Sequence, residues 1–175
     1  ERTGDGQSWE RRTLYEGGLD VDVAFFPAAA LDLGDGELPA TFADVMRRGV
    51  RVLIDKDGRL AGILKRPLPT TPLNRQPDAA EFANAVSDFW YHTLWCAKHL
   101  RRGELWWAKS GIDMHLKGYL QRMLEWHARA TRGDSHDTWL RGRFLEEWAD
   151  PRAVAELSRA FAHYEAADMA RALAA

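Results

Sequence analysis

The chain has 175 residues, 46% of them apolar and 29% charged, with eight tryptophans and a formal charge of −2. That length and apolar content support one ordinary domain or two small ones, each with a real core, and exclude a largely disordered protein. The near-neutral charge argues against an electrostatic nucleic-acid binder, and no run approaches the roughly 20 apolar residues that cross a bilayer.

In chain order, residues 1–18 are polar and Gly-rich, with a short strand at Arg12–Tyr15. Leu19 to Phe26 alternates in its first half as a strand with one acidic face would, and Pro27 stops it. Ala28 to Leu33 makes one or two helical turns, and Gly34-Asp35-Gly36 is a turn. Thr41 is placed to N-cap a short helix that Gly49 ends. Val50 to Ile54 reads as a strand, Asp55-Lys56-Asp57-Gly58 as a tight turn, and Leu60 to Leu64 as another short strand.

Prolines 67, 69, 72 and 77 make 66–77 an extended linker and the best domain boundary in the chain. It separates a region 1–65 from a helical region 78–175. In the latter, a long helix runs from Asp78 to about Leu100 and breaks at Gly103. A second spans about Glu104 to Ala130 with Gly111 and Gly118 inside it. Asp137 to Trp148 reads as helix, and Pro151 opens another that runs to the end.

Chemistry-bearing residues gather in two places. Asp20 and Asp22, at i and i+2 on a strand, share one face with their carboxylates roughly 6–7 Å apart. That is a geometry for ligating hard cations or taking a proton, and equally that of a solvated acidic edge. From Phe82 to Trp126, Lys98, Arg102, Glu104 and Lys109 sit among tryptophans at spacings that suit a polar cleft lined by helix. Lys98 and Arg102, four apart, fall on one helical face, which suits phosphate contacts or an ordinary solvated basic stripe.

Several chemistries lack support. The six histidines include no pair at a zinc-binding spacing with a neighbouring carboxylate motif. There is no P-loop and no Gly-x-Ser-x-Gly elbow. The single Cys96 excludes an intrachain disulfide and fits a cytoplasmic, reducing setting. Its apolar neighbours read as those of a buried, inert thiol with no base partner.

Taken in order, Asp22-Val-Ala-Phe-Phe-Pro27, Val52-Leu-Ile-Asp-Lys-Asp57, Glu81 to Trp90 and Lys98-His-Leu-Arg-Arg-Gly-Glu104 resemble the aminoglycoside 6-adenylyltransferases. So do Met123-Leu-Glu-Trp126, Arg143-Phe-Leu-Glu-Glu-Trp148 and the closing Tyr164 to Leu173. These streptomycin adenylyltransferases belong to the nucleotidyltransferase superfamily. The resemblance covers most of the chain from about residue 19 onward.

It implies an α+β fold, a partial nucleotidyltransferase mixed sheet in 1–65 followed by an all-α helical substrate domain in 78–175. The family's Gly-Ser turn and Asp-x-Asp strand have no match here. The chain is therefore expected to be truncated at its N-terminus and towards its C-terminus, with the main Mg²⁺ ligands upstream of Glu1. The implied reaction transfers AMP from ATP to a hydroxyl of an aminoglycoside such as streptomycin, with Mg²⁺ assisting.

Asp22 aligns with the family's third carboxylate, a general base toward the sugar hydroxyl, and Asp20 lies beside it. Lys98, Arg102 and Arg143 are candidates for the phosphates. Glu104, Glu125, Trp90 and Trp107 are candidates for the cationic drug, which needs carboxylates and benefits from aromatic faces. Trp106 and Trp126 fit that role too, and every one of these tryptophans also fits a helical core. Two other readings stay open: a nucleotidyltransferase with another acceptor, a lincosamide or a protein, and a non-catalytic ligand-binding remnant. The implied partners are the small molecules alone, with no nucleic acid and no membrane.

Overall fold

A computed structural model describes residues 8–34, 38, 40–67, 75–138 and 140–175. The chain divides into two compact units, Glu1–Asn74 and Arg75–Ala175. The class is α+β. Residues 68–74 of the proline-rich segment lie outside the described residues.

In the first unit, β1 (Trp9–Leu14) pairs antiparallel with β2 (Asp20–Phe25). The turn between them closes through Tyr15 N–H to Leu19 O, 2.8 Å, and uses Gly17 and Gly18 at positive φ, where a side chain would be strained. Arg12 pairs with Asp22 and Trp9 with Phe25 in register. Side chains alternate across the ribbon, so Glu10, Arg12, Asp20 and Asp22 share one face and Trp9, Val21, Val23 and Phe25 the other. Trp9 and Phe25 stack with ring centroids 3.9 Å apart. Among the described residues this hairpin is the whole sheet, so the expected mixed sheet is reduced to two antiparallel strands.

After a 3₁₀ turn at Ala28–Leu31 come α1 (Ala40–Arg47) and α2 (Arg59–Leu64). Leu38, Ala43 and Ile63 form their buried core. Thr41 lies inside α1 rather than capping it. Two expected strands are corrected: Leu60–Leu64 is helical, and Val50–Ile54 is irregular. The β-branched run has no neighbouring strand among the described residues to complete a ladder, and Leu53 and Ile54 stand exposed. Propensity without a partner strand does not make a sheet.

The second unit is helical. In α3 (Ala79–Arg101) the Asp78 carboxylate caps the first turn by accepting from Glu81 N–H at 2.8 Å. The helix ends in a Schellman motif: Gly103 at φ +77 donates to Leu100 O and Glu104 to His99 O. Next come α4 (Leu105–Gly111), a π-helical turn at Ile112–Leu116, and α5 (Lys117–Arg132). The long second helix is thus continuous but carries a π bulge. Asp137–Trp148 is corrected to a turn plus the short α6 (Leu145–Trp148), because Arg141, Gly142 and Phe144 all take positive φ. The terminal helix is two, α7 (Pro151–Ala160) and α8 (Ala166–Leu173). Arg171 donates to Arg159 O and Phe161 O, satisfying carbonyls that the end of α7 leaves open.

Cys96, Ala108, Ile112, Leu116 and Met169 form one buried core, joining α3, α4, the π turn and α8. Leu124, Ala128, Trp148 and Ala149 form a second, under α5, α6 and α7. Among the described residues no helix is long and apolar enough to cross a membrane.

Candidate functional site

Asp20 and Asp22 are both exposed on the polar face of the hairpin. Arg12 lies opposite Asp22, its Nε 4.0 Å from Oδ1, while its Nη2 donates to Glu10 at 3.1 Å. Solvent screens such a pair, so it adds little to the stability of the fold. Among the described residues no three His, Cys, Asp or Glu side chains converge as metal ligands. Asp20 and Asp22 do not by themselves make a metal site, and no step below is routed through one.

The Asp55-Lys56-Asp57-Gly58 run has a structural role. Asp55 Oδ2 accepts from Ala61 N–H at 3.1 Å at the start of α2, and Asp57 pairs with Arg59 at 3.2 Å. Arg59 also reaches Asp32, 3.2 Å away. Gly58 takes φ +72 to turn the chain into the helix.

In the second unit, Glu104 and Trp107 come together through a residue that the sequence patterns did not single out. The Schellman turn folds Glu104 back along α3, and its Oε2 accepts from His99 Nδ1. His99 lies against Trp95, centroids 4.2 Å apart, and edge-on to Trp107 at 6.4 Å; Trp95 and Trp107 themselves are 5.5 Å apart. The wall continues one helical turn back. His92 stacks on His115 at 4.8 Å and lies 5.6 Å from Tyr119, and Trp95 stands edge-on to His115 at 6.3 Å.

A carboxylate therefore sits at the end of a wall of π faces, along the seam where α3 meets α4, the π turn and α5. Such a surface suits ammonium or guanidinium groups. The cue in the sequence was the i, i+7 spacing of His92 and His99, which places them on one side of a helix.

The other candidates are dispersed. The Lys98 side chain is exposed and makes no hydrogen bond or ion pair among the described residues, and Arg102 is the exposed C-cap of α3. Lys109 is tied to Asp113. Glu125 is half-buried and accepts from Gln121 at 2.8 Å. Trp90, exposed on the opposite side of α3 from His92, meets Phe89 edge-on at 5.6 Å. Trp106 is exposed, whereas Trp126 is core, packed against Phe82 at 6.2 Å. Arg143 is exposed, while its backbone carbonyl accepts from the Trp148 indole at 2.9 Å.

Two titratable groups are set by burial. The Cys96 thiol is pushed up to about 11, chiefly by desolvation. Lys117 is lowered from its ordinary value, also chiefly by desolvation; it donates to Ala160 O and lies over the Phe161 ring at 4.8 Å.

Comparison with known proteins defines the class first. The fold matches the crystal structure of an aminoglycoside 6-adenyltransferase from Bacillus subtilis with a TM-score of 0.54 and 22% identity. That match covers 96% of this chain and 58% of the other. The aminoglycoside 6-adenylyltransferase of Bacillus subtilis (strain 168) is 27% identical over 113 residues, 62% of this chain and 38% of that protein. The sequence model of the streptomycin adenylyltransferase family matches residues 5–175. The chain belongs to that family, and it spans under two thirds of the relatives it matches.

Proposed function

We propose that this chain takes part in transferring AMP from ATP to a hydroxyl of an aminoglycoside, streptomycin being the first acceptor to test. The observation that carries this reading is the Glu104 carboxylate fixed by His99 at the end of the Trp95–Trp107 wall. A polycationic sugar needs both a carboxylate and aromatic faces. Family membership supplies the reaction class.

In the transfer, the acceptor hydroxyl oxygen bonds to the α-phosphorus of ATP as the bond to the bridging oxygen of pyrophosphate breaks. The hydroxyl proton goes to a base and pyrophosphate leaves. We assign Asp22 as that base: it is exposed, with Arg12 Nε 4.0 Å from its Oδ1. Asp20 shares its face. Lys98, Arg102 and Arg143 are exposed cations suited to the developing charge on the phosphates. Mg²⁺ on the triphosphate and a cytoplasmic setting belong to the same proposal.

The test is pyrophosphate release from ATP with streptomycin, with the adenylylated drug identified by mass. Streptomycin-dependent release that Asp22→Asn abolishes supports the reading. Release that Asp22→Asn leaves unchanged removes Asp22 as the base, and absence of streptomycin-dependent release overturns the transferase reading.

A further inference from the structure

His92 and His99 have their tautomers assigned by their neighbours. His92 Nδ1 lies 2.7 Å from the Asp88 carbonyl oxygen, which can only accept. Nδ1 therefore carries the proton, and neutral His92 has its lone pair on Nε2. His99 Nδ1 bonds to the Glu104 carboxylate. An ionised carboxylate also only accepts, so in neutral His99 the lone pair is likewise on Nε2.

Neither Nε2 has a partner among the described residues. The two residues sit seven apart on one side of α3, a backbone rise of about 10.5 Å along its axis. Trp95 lies between them in sequence and packs tilted against His99, ring centroids 4.2 Å apart. His115 and Tyr119 cover His92, and Trp107 flanks His99.

From this pair we propose that His92 and His99 form a two-point acceptor comb. Each Nε2 takes an N–H from a different cationic group of one ligand, and Glu104 supplies the charge at the His99 end. The ligand class is a small molecule with two guanidinium or ammonium groups whose outer N–H donors can bridge acceptors on residues separated by a helical rise of about 10 Å. This deepens the reading of the face as the acceptor site and rests on it. His99 has two roles, positioning Glu104 through Nδ1 and contacting the ligand through Nε2. His92 provides the second point, which sets the spacing the site accepts.

The test reads the imidazole nitrogens directly. The chain, labelled with ¹⁵N in histidine, is titrated at pH 8 with streptomycin, which carries two guanidinium groups, and with methylguanidinium, which carries one. Streptomycin is expected to shift the Nε2 signals of His92 and His99 while leaving their Nδ1 signals in place. It should bind at least tenfold more tightly than methylguanidinium. His92→Phe and His99→Phe keep a ring face but lack Nε2, and each should weaken streptomycin about tenfold, one good hydrogen bond to a charged group.

AMP transfer by the same protein is measured alongside. Transfer with both Nε2 signals unmoved overturns the comb and leaves the transferase reading intact. Both signals moving without transfer upholds the comb as a dication site and overturns the transferase reading. A shift at His99 alone also overturns the two-point proposal, because it reduces the site to the Glu104 end. Absence of both responses overturns both.

Discussion

A β-carbon on Gly111 would lie 2.7 Å from the Cys96 sulfur, and 2.6 Å from the ring of Trp95. The crossing of α3 and α4 is thus closed to any side chain larger than hydrogen unless the helices part. A buried sulfur and a half-buried indole ring, not a flexible side-chain end, stand in the way. That contact holds α4 and the π turn against the stretch of α3 that carries Trp95 and His99.

The first prediction contrasts two glycines inside the same helical run. Alanine in place of a mid-helix glycine gains roughly 0.5–1 kcal/mol in backbone terms. At Gly118, where the added carbon meets nothing within 4 Å, that gain should appear in full. At Gly111 overpacking should cost about 1–3 kcal/mol and outweigh it. Urea unfolding should therefore shift the midpoint up for Gly118→Ala and down for Gly111→Ala. Equal shifts of one sign would contradict the crossing geometry.

A second prediction concerns acid. Asp150 is held down to about 2 by the Arg152 side chain and then by Arg152 N–H at 2.8 Å. Asp168 is held down to about 2 by Arg171 and then by His163 N–H. A carboxylate with a depressed native value stabilises the fold above its unfolded value of about 3.9, and the contribution is lost as pH falls through about 2. Stability should thus decline between about pH 4 and pH 2. The double variant Asp150→Asn, Asp168→Asn should flatten that limb, as read by urea midpoints at pH 2.5, 4 and 7. An unchanged limb would mean that other carboxylates govern acid unfolding.

The third prediction concerns Cys96, which is fully buried with its thiol pushed up to about 11. The thiolate is the reactive form. At pH 8 the folded chain should alkylate with iodoacetamide at least a hundredfold more slowly than the urea-unfolded chain. Rapid stoichiometric labelling of the folded chain would place the sulfur at the surface.

Much of the helical unit was legible because its signals are local. Asp78 marks where the long helix starts and Gly103 where it breaks; the Asp78 carboxylate accepts from Glu81 N–H, and Gly103 donates to Leu100 O. The failures are of another kind. Val50 to Ile54 has strand composition but no adjacent strand among the described residues, and Leu60 to Leu64 becomes helical behind the Asp55 cap. The helix expected from Asp137 forms only over Leu145–Trp148, because three of the residues 141–144 take positive φ, two of them not glycine.

At the candidate site, Glu104 and Trp107 could be picked out as a carboxylate and an aromatic, and Asp20 and Asp22 as a strand pair. The histidines could not be picked out in that way. Read for zinc spacing, they were scattered. Their association depends on which face of α3 meets the π turn and α5, so His115 and Tyr119 reach His92 only once the chain folds. The same fold sends Trp126 into the core and leaves Trp90 on the opposite side of α3.

The last prediction separates the two ends of the proposed reaction. If Asp22 takes the hydroxyl proton, Asp22→Asn should lower kcat by about 10²–10⁴ with little change in the KM for streptomycin. Asp20→Asn, sharing the face but not assigned as the base, should have the smaller effect. Glu104→Gln keeps the size of the side chain and an acceptor oxygen but loses the charge. It should raise the KM for streptomycin about tenfold, the equivalent of about 1.4 kcal/mol, while kcat changes less. Circular dichroism of each variant checks that the fold persists. The reverse pattern, with Glu104→Gln lowering kcat and Asp22→Asn raising KM, would exchange the roles assigned to the two carboxylates.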